Sequence, residues 1–144
     1  MTASRQRPDS GIEVALEQRQ RKLDQDRQLL AERELAAQEQ AGTVTTAEAR
    51  VRMVLMQMDA AQRPTAGAAL PVAVLSDLER LLDWCEMQVS LERERLEIAR
   101  GEAEEARTVV AVAHQHVRAL ELVLEARAAE RTEKHTPSST RSSP

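Results

Sequence analysis

The residues best able to do chemistry in this chain are its three histidines, its one cysteine and a cluster of glutamates. His114 and His116 stand two positions apart, which on an α-helix turns their side chains about 200° away from each other. Side chains that diverge in this way do not ligate the same metal ion. His135 stands apart from both, at the start of a segment rich in Pro, Ser and Thr. We therefore expect no metal site.

The acidic cluster is formed by Glu102, Glu104 and Glu105. A catalytic carboxylate works inside a concave pocket, and a chain of paired helices offers little concave interior. None of the four glycines stands in the GxxxxGK pattern of a phosphate-binding loop. We expect no catalytic residue, no cofactor and no enzymatic activity.

Cys85 is the only cysteine, so the chain cannot form an internal disulfide, and this usage fits a reducing compartment. It follows Leu82 by three positions and precedes Val89 by four, which is the spacing of one helix face. At such a position a thiol packs as a small apolar side chain, so we expect Cys85 to be structural.

The composition favours long helices over an ordinary globular core. Of the 144 residues, 31% are charged and 1% aromatic, and Trp84 is the only aromatic side chain. Ala, Leu, Glu, Arg and Gln, all good helix formers, dominate the sequence. The sequence predicts an all-α chain with a single coiled-coil domain.

Charge and hydropathy limit the kinds of partner and the cellular locations that we expect for this chain. The 20 basic residues are outnumbered by 24 acidic ones and are spread along the chain, which argues against binding to nucleic acid or to a membrane surface. The opening MTASRQRPDS has no apolar run, and the most apolar stretch, 66–75, is interrupted by Gly67 and Pro71. We expect a cytoplasmic protein whose contact with the membrane is peripheral and made only through partners.

The clearer helical pattern lies in the second half of the chain. Apolar residues recur there at alternating steps of three and four, the repeat of a left-handed coiled coil, and only Glu92 and Arg127 break it. The predicted seam positions are Leu75, Leu78, Leu82, Cys85, Val89, Glu92, Leu96, Ala99, Ala103, Ala106, Val110, Ala113, Val117, Leu120, Leu124 and Arg127.

The first half of the chain has a narrower seam. One heptad position is always apolar, and its partner position is polar in most layers. The apolar position reads Leu16, Leu23, Leu30, Ala37, Val44, Val51 and Met58, and the partner position reads Ile12, Arg19, Asp26, Arg33, Gln40, Ala47 and Val54.

Helix-breaking residues separate the two patterns. Asp9 or Ser10 can cap the first helix, Pro64 ends it, and Pro71 suits the first turn of the next. A short connection between two long helices favours an antiparallel hairpin. The predicted layout is a flexible N-terminus at 1–8, helix 9–62, bend 63–70, helix 71–134 and a disordered tail at 135–144, with 9–134 as one domain.

Two further segments resemble helix starts. Gly42–Thr46 contains a helix-weakening glycine, and Thr45–Glu48 reads as a capping box that would restart a helix. Because the apolar heptad position continues unshifted from Val44 to Val51, we favour a kinked or continuous helix over two separate ones. Ser76–Glu79 is a second possible capping box.

Apolar residues also occur outside the seam. On the second helix, Trp84, Leu91 and Ile98 share one heptad position, away from the seam. This stripe is either a docking surface for another protein or a surface covered by a third segment or a second copy. The predicted sticky region near the bend consists of Met53, Met56, Trp84, Met87 and Leu91.

The organisation resembles the flagellar export protein FliJ and its counterparts in type III secretion. The likeness lies in chain size, in two long helices with a central breaker, in Leu78–Trp84 (LERLLDW) and in Ala113–Arg127 (AHQHVRALELVLEAR). It extends over roughly residues 9–134. The chain departs from the family pattern in its near absence of aromatics and in the Gly42–Thr46 segment.

The resemblance implies a cytoplasmic adaptor that couples the hexameric export ATPase to the membrane export gate and escorts export chaperones. On this reading the charged terminal half, with Arg19, Arg21, Arg118 and Arg127, faces the ATPase. We assign the sticky region near the bend to the gate. The alternative is a homodimeric coiled-coil scaffold, in which the seam and the stripe join copies of the chain.

Overall fold

The structure, a computed structural model, describes residues 9–63 and 72–135. They form two helices, α1 (Ser10–Gln62) and α2 (Val72–His135), and contain no strand. The predicted all-α class, with two long antiparallel helices packed against each other, is confirmed. The bounds agree with those expected from the sequence to within one residue. The predictions for 1–8, for most of the bend and for the tail beyond His135 lie outside the described residues.

The start of α1 is set by Asp9. Its carbonyl oxygen accepts a hydrogen bond from the backbone N–H of Glu13 at 2.9 Å, so Asp9 occupies the N-cap position and Ser10 is the first helical residue. The Asp9 carboxylate contacts two arginines of α2. The sequence therefore predicted Asp9 as a cap residue, but it did not predict that the Asp9 side chain contacts α2.

α1 runs without a break through Gly42. The hydroxyls of Thr43, Thr45 and Thr46 donate to the backbone carbonyls four residues earlier, at 3.2, 3.1 and 3.1 Å. Threonine in this arrangement belongs to a helix interior, so the expected capping box at Thr45–Glu48 does not start a helix. The neighbouring Val44 and Ala47 are buried, and their packing offsets the cost of the glycine.

The second possible capping box, Ser76–Glu79, does not start a helix either. α2 begins at Val72, four residues before Ser76, so Ser76–Glu79 lies within the helix. The four-residue pattern alone could not reveal this, because it does not show whether the preceding residues are already helical.

Residue contacts divide the chain into two compact units. The terminal unit comprises Met1–Leu30 with Ala106–Pro144, and the central unit comprises Ala31–Glu105. The prediction of a single domain over 9–134 stays a prediction.

In the terminal unit, α1 and α2 pack antiparallel around a small apolar core. Its buried members are Leu23, Ala113 and Val117, with Leu16 and Val110 packed against them. All five are predicted seam positions. The direction follows from side-chain pairs: Arg19 lies beside His116, and Asp9 lies beside Arg127.

The central unit repeats this arrangement with a different core. Antiparallel direction is shown by the ion pairs of Arg33 with Glu102 at 2.9 Å and of Glu48 with Arg93 at 3.4 Å. The buried apolar residues all occupy predicted seam positions, and they are Val44, Ala47, Val54, Cys85, Val89, Leu96 and Ala103.

Polar residues in the central seam meet polar partners. Glu92, which breaks the heptad pattern of α2, accepts hydrogen bonds from Nε2 of Gln40 through both its carboxylate and its backbone carbonyl, the latter at 3.0 Å. Arg95 contacts the second carboxylate oxygen of Glu92 at 2.8 Å. A largely buried carboxylate with donors on both oxygens costs little, which explains how the seam tolerates this break.

Neither helix contains, within the described residues, an apolar stretch long enough to cross a lipid bilayer.

Replacing Leu23 with Ala should lower the free energy of unfolding by about 2 to 3 kcal/mol, because it removes a buried side chain from a core with few members. Leu29→Ala, at an exposed leucine of the same helix and unit, should change it by less than about 0.5 kcal/mol. Urea denaturation followed by circular dichroism at 222 nm measures both. Equal losses would contradict the assigned seam.

Gly42→Ala should raise stability by about 0.5 to 1 kcal/mol, because alanine is the better helix former and a Cβ at this position meets nothing within 4 Å. Gly101→Ala is the matched reference, since Gly101 lies inside α2 with equally open surroundings. Thermal melts of the two variants give the comparison. A gain at Gly101 without one at Gly42 would indicate that α1 is broken there.

Candidate partner-binding surfaces

The four arginines assigned to the ATPase side all lie in the terminal unit, and each has an internal contact. Arg19 Nη1 lies 3.3 Å from His116 Nδ1, and because arginine only donates, the histidine nitrogen accepts. Arg21 pairs with Glu17 at 2.9 Å, one turn away on α1. These contacts sit at the surface, where solvent weakens them.

The other two arginines lie on α2. Arg118 contacts Glu125 at 3.3 Å, and both side chains are exposed. Arg127 Nη1 donates to Asp9 Oδ1 at 3.0 Å, which joins the end of α2 to the start of α1. Arg127 breaks the heptad pattern of α2, and the structure explains the break by this pair.

Arg131 also contacts Asp9, and this contact was not predicted from the sequence. Its Nη2 lies 2.6 Å from Asp9 Oδ2, as an ion pair without the alignment of a hydrogen bond. Asp9 is only 3% exposed, whereas both arginines are about half exposed. A buried carboxylate needs such cationic partners, and the spacing of four between Arg127 and Arg131 was the available signal.

A groove of about 270 Å³, not predicted from the sequence, lies beside the seam of the terminal unit. Its walls combine the apolar Val109 and Val112 with the charged Asp26. Asp26 is 6% exposed, and Lys22 contacts its Oδ1 at 3.1 Å. The remaining lining residues are Arg19, Lys22, Thr108, Ala113 and His116.

The central unit brings two of the predicted gate-side residues together. Met53 of α1 and Trp84 of α2 line one groove of about 380 Å³, together with Leu81. The seam residues Val54 and Cys85 form its floor, and Arg50 and Gln57 are its polar lining residues. Trp84 is 52% exposed, although tryptophan is usually well buried. We call this site the Trp84 groove.

The other gate-side residues lie outside that groove. Met56 and Met87 are 71% and 69% exposed. Both hold the heptad position farthest from the seam, so they point outward from opposite sides of the helix pair. Leu91 is exposed one heptad beyond Trp84, on the same side of α2. The predicted five-residue region is therefore not one surface, because Met56 and Met87 belong to separate faces.

The opposite side of the central seam is more polar. Its groove, of about 340 Å³, contains Arg52, Glu86 and Ser90, together with the Glu48–Arg93 ion pair. Apolar contact is limited there to the seam residues Val51 and Val89. The two flanks of the central unit thus differ in chemistry, and only the Trp84 side is apolar.

Side chains able to ligate a metal ion are dispersed in the part of the chain that the structure describes. Among residues 9–63 and 72–135, no group of three or more His, Cys, Asp and Glu side chains is placed to hold a metal ion. Cys85 is buried and free in the central seam, as expected for a structural thiol.

Asp9→Asn should lower the free energy of unfolding by about 1 kcal/mol, because the amide loses the charge that two arginines compensate. This loss of stability should be smaller in 1 M NaCl, because the Debye length there is about 3 Å and the salt screens the half-exposed arginines. Asp24→Asn, at an exposed aspartate of the same unit, is the control. Urea denaturation at two salt concentrations measures the free energy of unfolding of both variants. Equal losses of stability in the two variants would contradict a structural role for the Asp9 carboxylate.

Comparisons of the chain with protein-family models, with curated proteins and with solved structures gave no match.

Proposed function

We propose that the chain is an adaptor of bacterial flagellar (type III) protein export. In this role it couples the hexameric export ATPase to the membrane export gate and escorts export chaperones. It works in the cytoplasm and reaches the inner face of the membrane only through these partners. The observation that carries the proposal is the placement of two different surfaces, one rich in arginine and one apolar, in separate units of a two-helix fold.

The ATPase contact is assigned to Arg19, Arg21, Arg118 and Arg127 of the terminal unit. Surface ion pairs such as Arg21–Glu17 and Arg118–Glu125 contribute only about 0 to 1 kcal/mol each. An acidic partner surface can therefore exchange them at low cost and gain directed hydrogen bonds. Arg127 differs, because its departure would leave the buried Asp9 carboxylate with Arg131 in place of two arginines.

The gate contact is assigned to the apolar side of the central unit. Exposed aromatic and thioether side chains are typical of surfaces that bind proteins, and Trp84 and Met53 are of these two kinds. Leu91 adds an exposed aliphatic side chain. Met56 and Met87 belong to the same gate-side assignment, and their exposed side chains extend it to other faces of the helix pair.

The ATPase assignment predicts the effect of reversing two charges. The double variant Arg21→Glu and Arg118→Glu should bind a purified flagellar export ATPase at least about tenfold more weakly, because the partner carboxylates would meet like charge. These positions leave the Asp9 contacts intact. Co-elution on a sizing column with light scattering, with and without nucleotide, measures binding and mass together.

The matched control is Arg52→Glu in the central unit, which should bind the ATPase as the unmodified chain does. A monomer that co-elutes with the ATPase supports the adaptor. A stable dimer that ignores the ATPase would replace this proposal with the homodimeric scaffold. Equal loss in the double variant and the control would remove the arginine assignment.

A further inference from the structure

Exposed apolar side chains form a second stripe along α2 in the central unit. Its members are not seam residues, and they stay open to solvent while the seam beside them is buried. We define this second stripe as Val74, Leu81, Trp84, Leu91 and Ile98.

The spacing of the second stripe is that of a coiled-coil seam. Val74 and Leu81 are seven residues apart, as are Trp84, Leu91 and Ile98, and the two series are offset by three. A repeat of seven with this offset is the pattern that packs against another helix. An extended peptide, with its repeat of two, does not match it. The occupant indicated by the spacing is a helix.

α1 provides the other side of the surface for such a helix. Its exposed Met53 continues the apolar surface across the Trp84 groove, above the buried Val54. A helix lying there would contact both α1 and α2, as the third member of a three-helix coil does. This explains why two series of apolar residues, rather than one, are exposed on α2.

The charge at the Trp84 groove indicates which kind of helix would bind there. Arg50 lines the groove, and within the described residues it has neither an ion pair nor a hydrogen bond through its side chain. A guanidinium beside an apolar groove favours a carboxylate on the bound helix. A second copy of this chain, placed with its own Trp84 groove on this one, would bring a second arginine toward the first. The charge pattern therefore favours an acidic helix from a different protein.

We propose that the second stripe and the Trp84 groove form a second coiled-coil seam that binds an acidic amphipathic helix of another protein. The helix presents apolar side chains at heptad spacing to the stripe and an Asp or Glu to Arg50. The inference rests on the proposed function for the use of this surface in partner binding, and it names the chemistry of the partner. It does not depend on the partner being an export gate.

Trp84 provides the reporter for a test. It is the only tryptophan of the chain, so the intrinsic indole emission reports this groove alone. Half-exposed in the free chain, it should emit at long wavelength, and covering by a helix should shift the emission to the blue.

The probes are two synthetic helical peptides of about four heptads, with Leu and Ile at the core positions. One carries Glu and the other Lys at the flanking positions. The acidic peptide should produce a saturable blue shift, with an affinity at least about tenfold higher than that of the basic peptide. Arg50→Glu should reverse the preference. Arg52→Glu, two residues away but lining the opposite groove, should leave it unchanged.

Three results would overturn the inference: no shift with either peptide, equal affinities that Arg50→Glu does not alter, or a blue shift on concentrating the chain alone. The last would identify a second copy as the occupant. Circular dichroism establishes that the variants remain helical. Peptide binding without ATPase co-elution would reject the export role and support this inference. Co-elution with the ATPase without peptide binding would support the export role and reject this inference.

Discussion

The structure depends on a seam made by only two helices. The described residues contain no third layer, so each seam residue meets neighbours on one side, and no large side chain among them is completely buried. Burial is therefore modest in every layer, and stability is the sum over many layers along α1 and α2. Small residues at Ala103, Ala106 and Ala113 let the two backbones approach and preserve contact where large side chains would hold them apart.

A two-helix seam tolerates polar residues only where hydrogen-bonding or charged side chains lie close enough to pair with them. Gln40 and Glu92 meet in one layer of the central unit, and Arg33 reaches Glu102 from another. In the terminal unit Asp9 is held by two arginines, although it is nearly inaccessible to solvent. Such pairs add little net stability, but a shift in helix register would leave them unpaired. They therefore favour one register over its alternatives, a task that a uniform run of leucine and alanine performs poorly.

The same two-helix constraint explains the exposed apolar residues. A single partner helix covers only one face of α2, so Trp84, Leu91 and Ile98 remain in contact with water. In the central unit one flank of the seam is apolar and the other carries Glu48, Glu86 and Arg93. This asymmetry distinguishes a surface suited to a specific occupant from the scattered apolar exposure that any protein shows.

The sequence by itself determined the helices, their approximate ends, the seam residues and the antiparallel pairing, because these follow from local periodicity and from two prolines. Continuity through Gly42 was favoured but not decided, since the threonine hydroxyl bonds and the burial of Val44 appear only in the folded helix. Tertiary structure alone decided the contact of Asp9 with Arg127 and Arg131, and the meeting of Met53 and Trp84 in one groove. These features join residues far apart in sequence or on different helices. They depend on the register and rotation of one helix against the other, which the periodicity of neither helix specifies.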